Sequence, residues 1–469
     1  MRLACTCRFK QPASCTAWLK HILPLLKHNN MKTIYILATL SLVWVIIGCQ
    51  SEKNKTADTT KLPELLMRPQ IIGPVNEMGY MLDQYNALAN KLQTNPADHE
   101  SKLALAELFM MEARISGEHG HYYPAALKLI NEVLTQELKD PLAYRAMLDK
   151  ASVLLSLHQF AEAKSIGEKA LKLNPHSADI YGVLVDANVE LGQYAEAVTY
   201  ADKMVSIRPD LRSYSRVSYL REIHGMVDEA ITAMKMAVAA GYPGMEQTEW
   251  ARLTLGHLYE RYGMLDSALV QYEMALATRP NYPFAIAAMS DCYAAMNKSE
   301  KADSLNIAAM ALIPEVSFYI TKANRELERG NTVKADEMTK EILVMLADDE
   351  EAGHQMNLEQ SRVQLNLLKN PEKALQYAIA EYSVRPDNID VNKLLAEIYY
   401  VQHDLNKSNE HLQKALITGT KDPETKCLEG ILLAKSDKTD EGTKLIQAVF
   451  VEIPYLDCSY CGEARSIIL

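Results

Sequence analysis

"LTLGHLYERYGMLDSALVQYEMALATRPN" occupies residues 253–281. Its apolar and small residues keep helical intervals. Leu255 and Tyr259 lie one turn apart, on one face of a first helix. Ala268, Tyr272 and Ala275 follow at i, i+4 and i+7 on a second. Between them stands Gly263, and glycine tolerates the left-handed backbone with which many helices end. Gly256 and Ala268 are small enough for the two helices to approach closely. Pro280 stops the second helix, since proline cannot continue the hydrogen-bond ladder. The stretch predicts a helical hairpin.

The hairpin recurs. Ala163, Ala197, Ala230, Ala268, Ala302 and Ala335 mark its second helix, at steps of 34, 33, 38, 34 and 33. "QFAEAKSIGEKALKLNP", "QYAEAVTYADKMVSIRP" and "MLDSALVQYEMALATRP" are versions of one segment. The 38-residue step absorbs "GYPGMEQ" at 241–247. Weaker copies run over 353–386, 387–420 and 422–450, and another lies upstream in "KLALAELFMMEARISGEHGHYYPAALKLINEVL". One hairpin cannot bury both its faces, so neighbours must stack.

A period near 34 with these small, aromatic and proline positions resembles the tetratricopeptide repeat. The resemblance covers nearly all of 99–450. It implies an all-α, right-handed superhelical solenoid of antiparallel helix pairs, with a concave groove that binds a protein or peptide. In that family the first helix of each hairpin lines the groove. Projected onto this chain, the pattern puts Arg212, Tyr219, Trp250, His257, Phe284, Asp291 and Asn324 on or near that surface. Aromatic residues suit a binding surface because they bury area at low entropic cost. Trp250 and Phe284, near helix starts, could equally pack against the preceding repeat. The Lys/Asn pattern with which the family clamps a terminal carboxylate is not found.

A different signal sits near the N-terminus. "MKTIYILATLSLVWVIIGCQSEKNK" begins at Met31 with a lysine, then an apolar run from Ile34 to Ile47. That run is about 14 residues, against the roughly 20 that span a bilayer. It fits the apolar region of a secretion signal. Ile46-Ile47-Gly48-Cys49 resembles the lipobox of bacterial lipoproteins, which implies cleavage before Cys49 and acylation of its sulfur. An uncleaved short anchor is the competing reading. Gln50, in place of the Asp that retains such proteins at the inner membrane of enteric bacteria, implies the outer membrane. The expected organisation is an upstream extension at 1–30, a signal peptide at 31–48 and a flexible polar tether at 49–64. An N-terminal cap or half-repeat follows at 65–98, the array at 99–450 and a C-terminal cap at 451–469.

Charge narrows the partners. Net charge is −11, and residues 1–48 hold six Lys or Arg and no acid, so a processed chain stands near −17. So acidic a body repels phosphates, and nucleic acid is not expected as a ligand. Catalytic signals are missing: no nucleophile elbow, P-loop, HExxH or dinucleotide fingerprint occurs. Neither an enzyme nor a cofactor is expected. His119 and His121 in "GEHGHYYP" offer two metal ligands but no third, so a longer inter-helix loop is the simpler reading. Cys458 and Cys461 in "CSYCG" have the spacing of a dithiol or half a zinc site. Past an export signal they suit a local disulfide. A thiol–disulfide oxidoreductase or metal carrier is the alternative function they allow. Cys292 and Cys427 read as small apolar residues inside helices.

Overall fold

The computed structural model describes residues 62–68 and 71–469. The signal peptide, Cys49 and the tether up to residue 61 lie outside the described residues. Among the described residues there are 22 α-helices and no strand, and no helix is long and apolar enough to cross a membrane. A single helix, α1 (Glu77–Thr94), precedes ten hairpins. These are α2 (His99–Ser116) with α3 (His119–Leu134), α4 (Asp140–Ser156) with α5 (Phe160–Leu173), and α6 (Ala178–Glu190) with α7 (Tyr194–Ile207). Next come α8 (Leu211–Ile223) with α9 (Val227–Ala239), α10 (Glu246–Arg261) with α11 (Leu265–Thr278), and α12 (Pro283–Ala295) with α13 (Ser299–Met310). The last four are α14 (Val316–Glu328) with α15 (Thr332–Glu351), α16 (Asn357–Asn366) with α17 (Pro371–Val384), α18 (Ile389–Val401) with α19 (Leu405–Ala415), and α20 (Pro423–Ala434) with α21 (Thr439–Glu452). A short α22 (Cys461–Ile468) closes the chain.

The opening stretch becomes α10 and α11. Leu255, Tyr259, Ala268, Tyr272 and Ala275 share one core with Ala285, Met289 and Cys292 of the next first helix, α12. The following repeat therefore covers the face that the hairpin cannot cover itself. Burial is uneven within each pair. α6 buries ten of its 13 residues, whereas α7 buries four of its 14. First helices pack between their own partner and the second helix of the preceding hairpin, and several also touch neighbouring first helices, so second helices are left with the solvent face.

Gly256 meets the flat of Tyr272. A Cβ there would lie 2.2 Å from the Tyr272 ring. Tyr272 cannot retreat: it is fully buried, and its hydroxyl donates to Glu260 Oε2 at 2.8 Å. Gly256→Ala is expected to cost about 1–3 kcal/mol by overpacking, read as a fall in the urea midpoint without a change in slope. An unchanged midpoint would mean that the two helices are free to move apart.

Within the unit Glu64–Leu469, the array also folds back on itself. Hydrogen bonds join residues 193 to 198 positions apart, about six repeats of ~34 residues. Gln355 N–H donates to Leu157 O at 3.1 Å, and Gln159 Nε2 to Gly353 O at 2.8 Å. Asn388 Nδ2 donates to Glu190 O at 3.0 Å, and Tyr455 OH to Glu260 O at 3.2 Å. Successive superhelical turns thus stack along a continuous seam. Gly263 serves both levels. Its φ of 84° closes α10, and a Cβ there would lie 2.7 Å from the Glu452 carbonyl oxygen of the turn above.

Residues expected to begin an N-terminal cap start instead as an irregular stretch laid against the array. Leu66 N–H donates to Tyr122 OH at 3.0 Å. Ile72 is buried among Ile115, Leu312, Ile313 and Phe318. Gly73 N–H donates to Pro280 O at 2.6 Å, and Asn281 Nδ2 to Ile71 O at 2.9 Å. The stretch therefore bridges the first hairpin to the fifth and sixth.

Candidate functional site

Where two superhelical turns face each other, their first helices and the segment before α22 line a cavity of about 760 Å³ that is open to solvent and mixes charged side chains with apolar ones such as Ile223, Leu258 and Ile389. One turn contributes Tyr219 and Glu222 from α8, Thr254, His257, Glu260 and Arg261 from α10, and Asp291 from α12. The other contributes Arg362 from α16, Asp390 and Lys393 from α18, Asp422 and Glu424 around the start of α20, and Tyr455 and Asp457 before α22. Seven carboxylates face three Lys or Arg side chains. This is what first helices can build once a seam turns their inner faces toward one another.

Ion pairing is incomplete. Arg261 pairs with Glu222. Lys393 reaches Asp422 at 2.9 Å and Glu424 at 2.6 Å. Arg325, from α14, holds Asp291 at 2.8 Å. Burial favours the neutral form of Lys393, but the charges of Glu424 and Asp422 outweigh it and raise its pKa. Burial also opposes the Asp422 carboxylate, yet Lys393 and bonds from Thr425 pull its pKa well down. Asp291 goes the other way. Burial, then the charge of Glu260, push it up to about 6 against the pull of Arg325. Burial raises Glu222 as well. The Asp390 carboxylate has no cation within ion-pair distance among the described residues. The lining is negative and crowded, and a cationic group would relieve it.

Three of the seven expected groove residues meet here. Tyr219, His257 and Asp291 line the cavity. His257 Nδ1 lies 3.1 Å from Tyr272 OH and 3.5 Å from Glu260 Oε2. The other four lie elsewhere. Arg212 is half-exposed at the start of α8 and pairs with Asp179 Oδ1 at 2.9 Å. Trp250 is half-exposed, its ring edge-on to Phe284 with centroids 5.7 Å apart. Phe284 packs on to Phe318 at 5.8 Å, so this aromatic run ties successive first helices together. Asn324 is half-buried on α14, outside the cavity lining. The expected surface assumed an open groove, in which every inward residue of a first helix is equally available; the seam instead divides these residues between the cavity and the surface outside it.

Sequence reading missed most of the charged lining. One signal was present: Glu222 and Glu260 each stand three residues before a turn glycine, Gly225 and Gly263. A charged residue repeated at one position of a mostly apolar helix marks a wetted inner face. His119 and His121 lie in the first turn of α3, not in the longer inter-helix loop expected, and they find different neighbours. His121 Nε2 bonds to Glu64 O at 2.8 Å, while His119 stacks on Tyr123. Cys458 and Cys461 form a disulfide, and Cys427 is a buried free thiol.

The family model of the tetratricopeptide repeat matches residues 154–221, the stretch from the end of α4 into α8. The chain thus carries tetratricopeptide repeats, and hairpins of the same construction continue on both sides. No curated protein matches it. Among solved structures, a tetratricopeptide-repeat protein of Thermus thermophilus is 24% identical, covering 38% of this chain and 91% of its own, with a TM-score of 0.33. YrrB, described as having an unusual peptide-binding site, is 22% identical over 37% of this chain and 88% of its own, at 0.28. The human IFIT1 dimer with PPP-AAAA is 16% identical over 75% of this chain and 96% of its own, at 0.41.

Proposed function

We propose that this chain is a membrane-anchored scaffold that holds an extended, basic segment of a protein partner in the cavity between its superhelical turns. The observation that carries this reading is the excess of carboxylates over cations around a cavity of about 760 Å³. The chain's own N-terminal stretch supplies the precedent. Arg68 inserts its guanidinium between Glu112, which is fully buried, and Glu77, at 2.7 Å from the latter. An arginine presented on irregular backbone is therefore a group this array already accommodates. The acylated Cys49 anchors the scaffold in a bacterial cell envelope, at the outer membrane, where it organises or assists assembly of a complex.

A fluorescent oligo-arginine peptide is the probe, with an oligo-glutamate peptide as control. Anisotropy should show the cationic peptide binding in preference to the anionic one. Asp390→Lys should weaken it at least about tenfold, the effect of losing roughly 1.4 kcal/mol. Binding should also fall as pH drops through about 6, where Asp291 takes up a proton and the cavity loses charge. Equal binding of both peptides, or indifference to Asp390→Lys, removes the proposal. Anchoring is tested separately, by the mass of the mature N-terminus and by release of Cys49→Ala from membranes.

A further inference from the structure

The C-terminal cap brings a third sulfur to the Cys458–Cys461 pair. Cys427 comes from the second turn of α20, 31 residues before Cys458 in the chain. The three sulfur atoms lie within 4.8 Å of one another. Cys427 and Cys461 are fully buried, while Cys458 is partly open to solvent. We infer that the cap, once its disulfide is reduced, is a three-cysteine site for a zinc-type cation, made by Cys427, Cys458 and Cys461.

Several features converge on this assignment. Cys461 N–H donates to Cys458 O at 3.0 Å, so the CxxC segment is already turned to aim both sulfurs at one point. Its Cα atoms are 5.0 Å apart, a separation that serves two ligands of one ion as well as a disulfide. Zinc–sulfur bonds of about 2.3 Å place tetrahedral ligands about 3.8 Å apart. The third sulfur thus needs a shift of only about an ångström. Cys461 opens α22, so its sulfur sits at the positive end of that helix, where a thiolate is favoured. Cys427 and Cys461 belong to an apolar cluster that includes Tyr400, Ile431 and Tyr460, with Cys458 packed against it. Sulfur ligands in apolar surroundings select soft or borderline ions over calcium or magnesium. The fourth position falls on the open side, toward Cys458, where water completes a tetrahedron.

The chemistry balances with a dithiol as reductant. It passes two electrons to the Cys458–Cys461 bond, is itself oxidised to a disulfide, and leaves two thiols here. The cation then displaces the protons of the three thiols as three metal–sulfur bonds form.

Cobalt(II) and zinc are the probes, on the whole chain with the disulfide intact or reduced by a dithiol that is then removed without air. Reduced protein should take up one cobalt per chain, with sulfur-to-cobalt charge-transfer absorption and the visible bands of a tetrahedral site. Zinc should displace it. Oxidised protein should take up none. Cys427→Ser and Cys458→Ser should each lower affinity at least tenfold while helix content is retained. The inference is overturned if reduced protein retains no cobalt, if oxidised protein binds equally, or if Cys427→Ser binds like the parent. None of these outcomes bears on peptide binding in the cavity.

Discussion

Arg279→Ala is expected to destabilise the array by about 3–5 kcal/mol, the usual result of breaking a buried ion pair from one side. Arg279 is fully buried at the end of α11. Its Nη1 and Nη2 donate to the two oxygens of Glu77 at 2.7 and 2.9 Å, and Nη1 also reaches Gly244 O at 3.2 Å. Burial opposes the Glu77 carboxylate, but Arg279 and then Arg68 outweigh it and hold its pKa low. The alanine variant leaves a cavity, an unpaired Gly244 carbonyl and a carboxylate with one cation in place of two. The loss should appear as a lower urea midpoint and as protease cleavage between residues 62 and 98. Arg279→Met with Glu77→Leu should recover most of it, since an apolar pair avoids desolvating two charges and leaves Arg68 paired with Glu112. A loss below about 1 kcal/mol, the range of exposed pairs, would mean that the clasp is ornamental.

Arg279 also shows which level of the fold the sequence displays. Each hairpin was legible because its rules are local: Leu255 with Tyr259, a glycine at the turn, alanines on the second helix, a proline after it. The seam was not, because no local rule says which residues meet some 195 positions later. Arg208, Arg279 and Arg385 illustrate this. Each ends a second helix immediately before a proline, so the repeat gives them one position. Arg208 turns to Asp179 and Asp210 in its own neighbourhood. Arg279 reaches Glu77, and Arg385 reaches Glu190, both across the seam. One position therefore has two fates, decided by closure of the superhelix. The same closure moves the candidate site. An open groove would offer Arg212 and Trp250 to a partner. The seam adds Asp390 and Lys393, residues whose meeting with α8 and α10 no local rule announces.

Acid is expected to open that seam at one identifiable point. His354 is 7% exposed, and its Nδ1 has no hydrogen-bond partner. It belongs to the later superhelical turn and faces the earlier one. From α3 come Tyr123 and His119, with ring centroids at 5.8 Å each, and Glu118 beside them. From the turn after α4 comes His158 at 6.3 Å. Asp349, on α15, accepts the His354 backbone N–H at its own backbone carbonyl at 3.0 Å, and burial holds its carboxyl's pKa above the ordinary range. Burial first, then the charges of His119 and His158, push His354 down to about 4. Burial lowers His119 too. Opened, His354 should titrate near the usual value of about 6.5. Between pH 6.5 and 4 the open form therefore binds a proton that the closed form refuses. The seam contact loses on the order of 3 kcal/mol over that window and no more below it. Global unfolding would hide the effect. The raised carboxyls of Asp149, at about 7, and Asp291, at about 6, take up protons more readily when folded and so add stability as pH falls. Hydrogen exchange at Gln355 isolates it, because that amide bonds across the seam to Leu157 O. Asn331, whose amide bonds within its own hairpin to Glu326 O at 2.8 Å, is the reference that cancels the intrinsic pH dependence of exchange. Protection of Gln355 relative to Asn331 should fall steeply from pH 7 to 4.5, and His354→Phe should flatten the fall. A constant ratio, or the same fall in the phenylalanine variant, would show that these imidazoles do not hold the turns together.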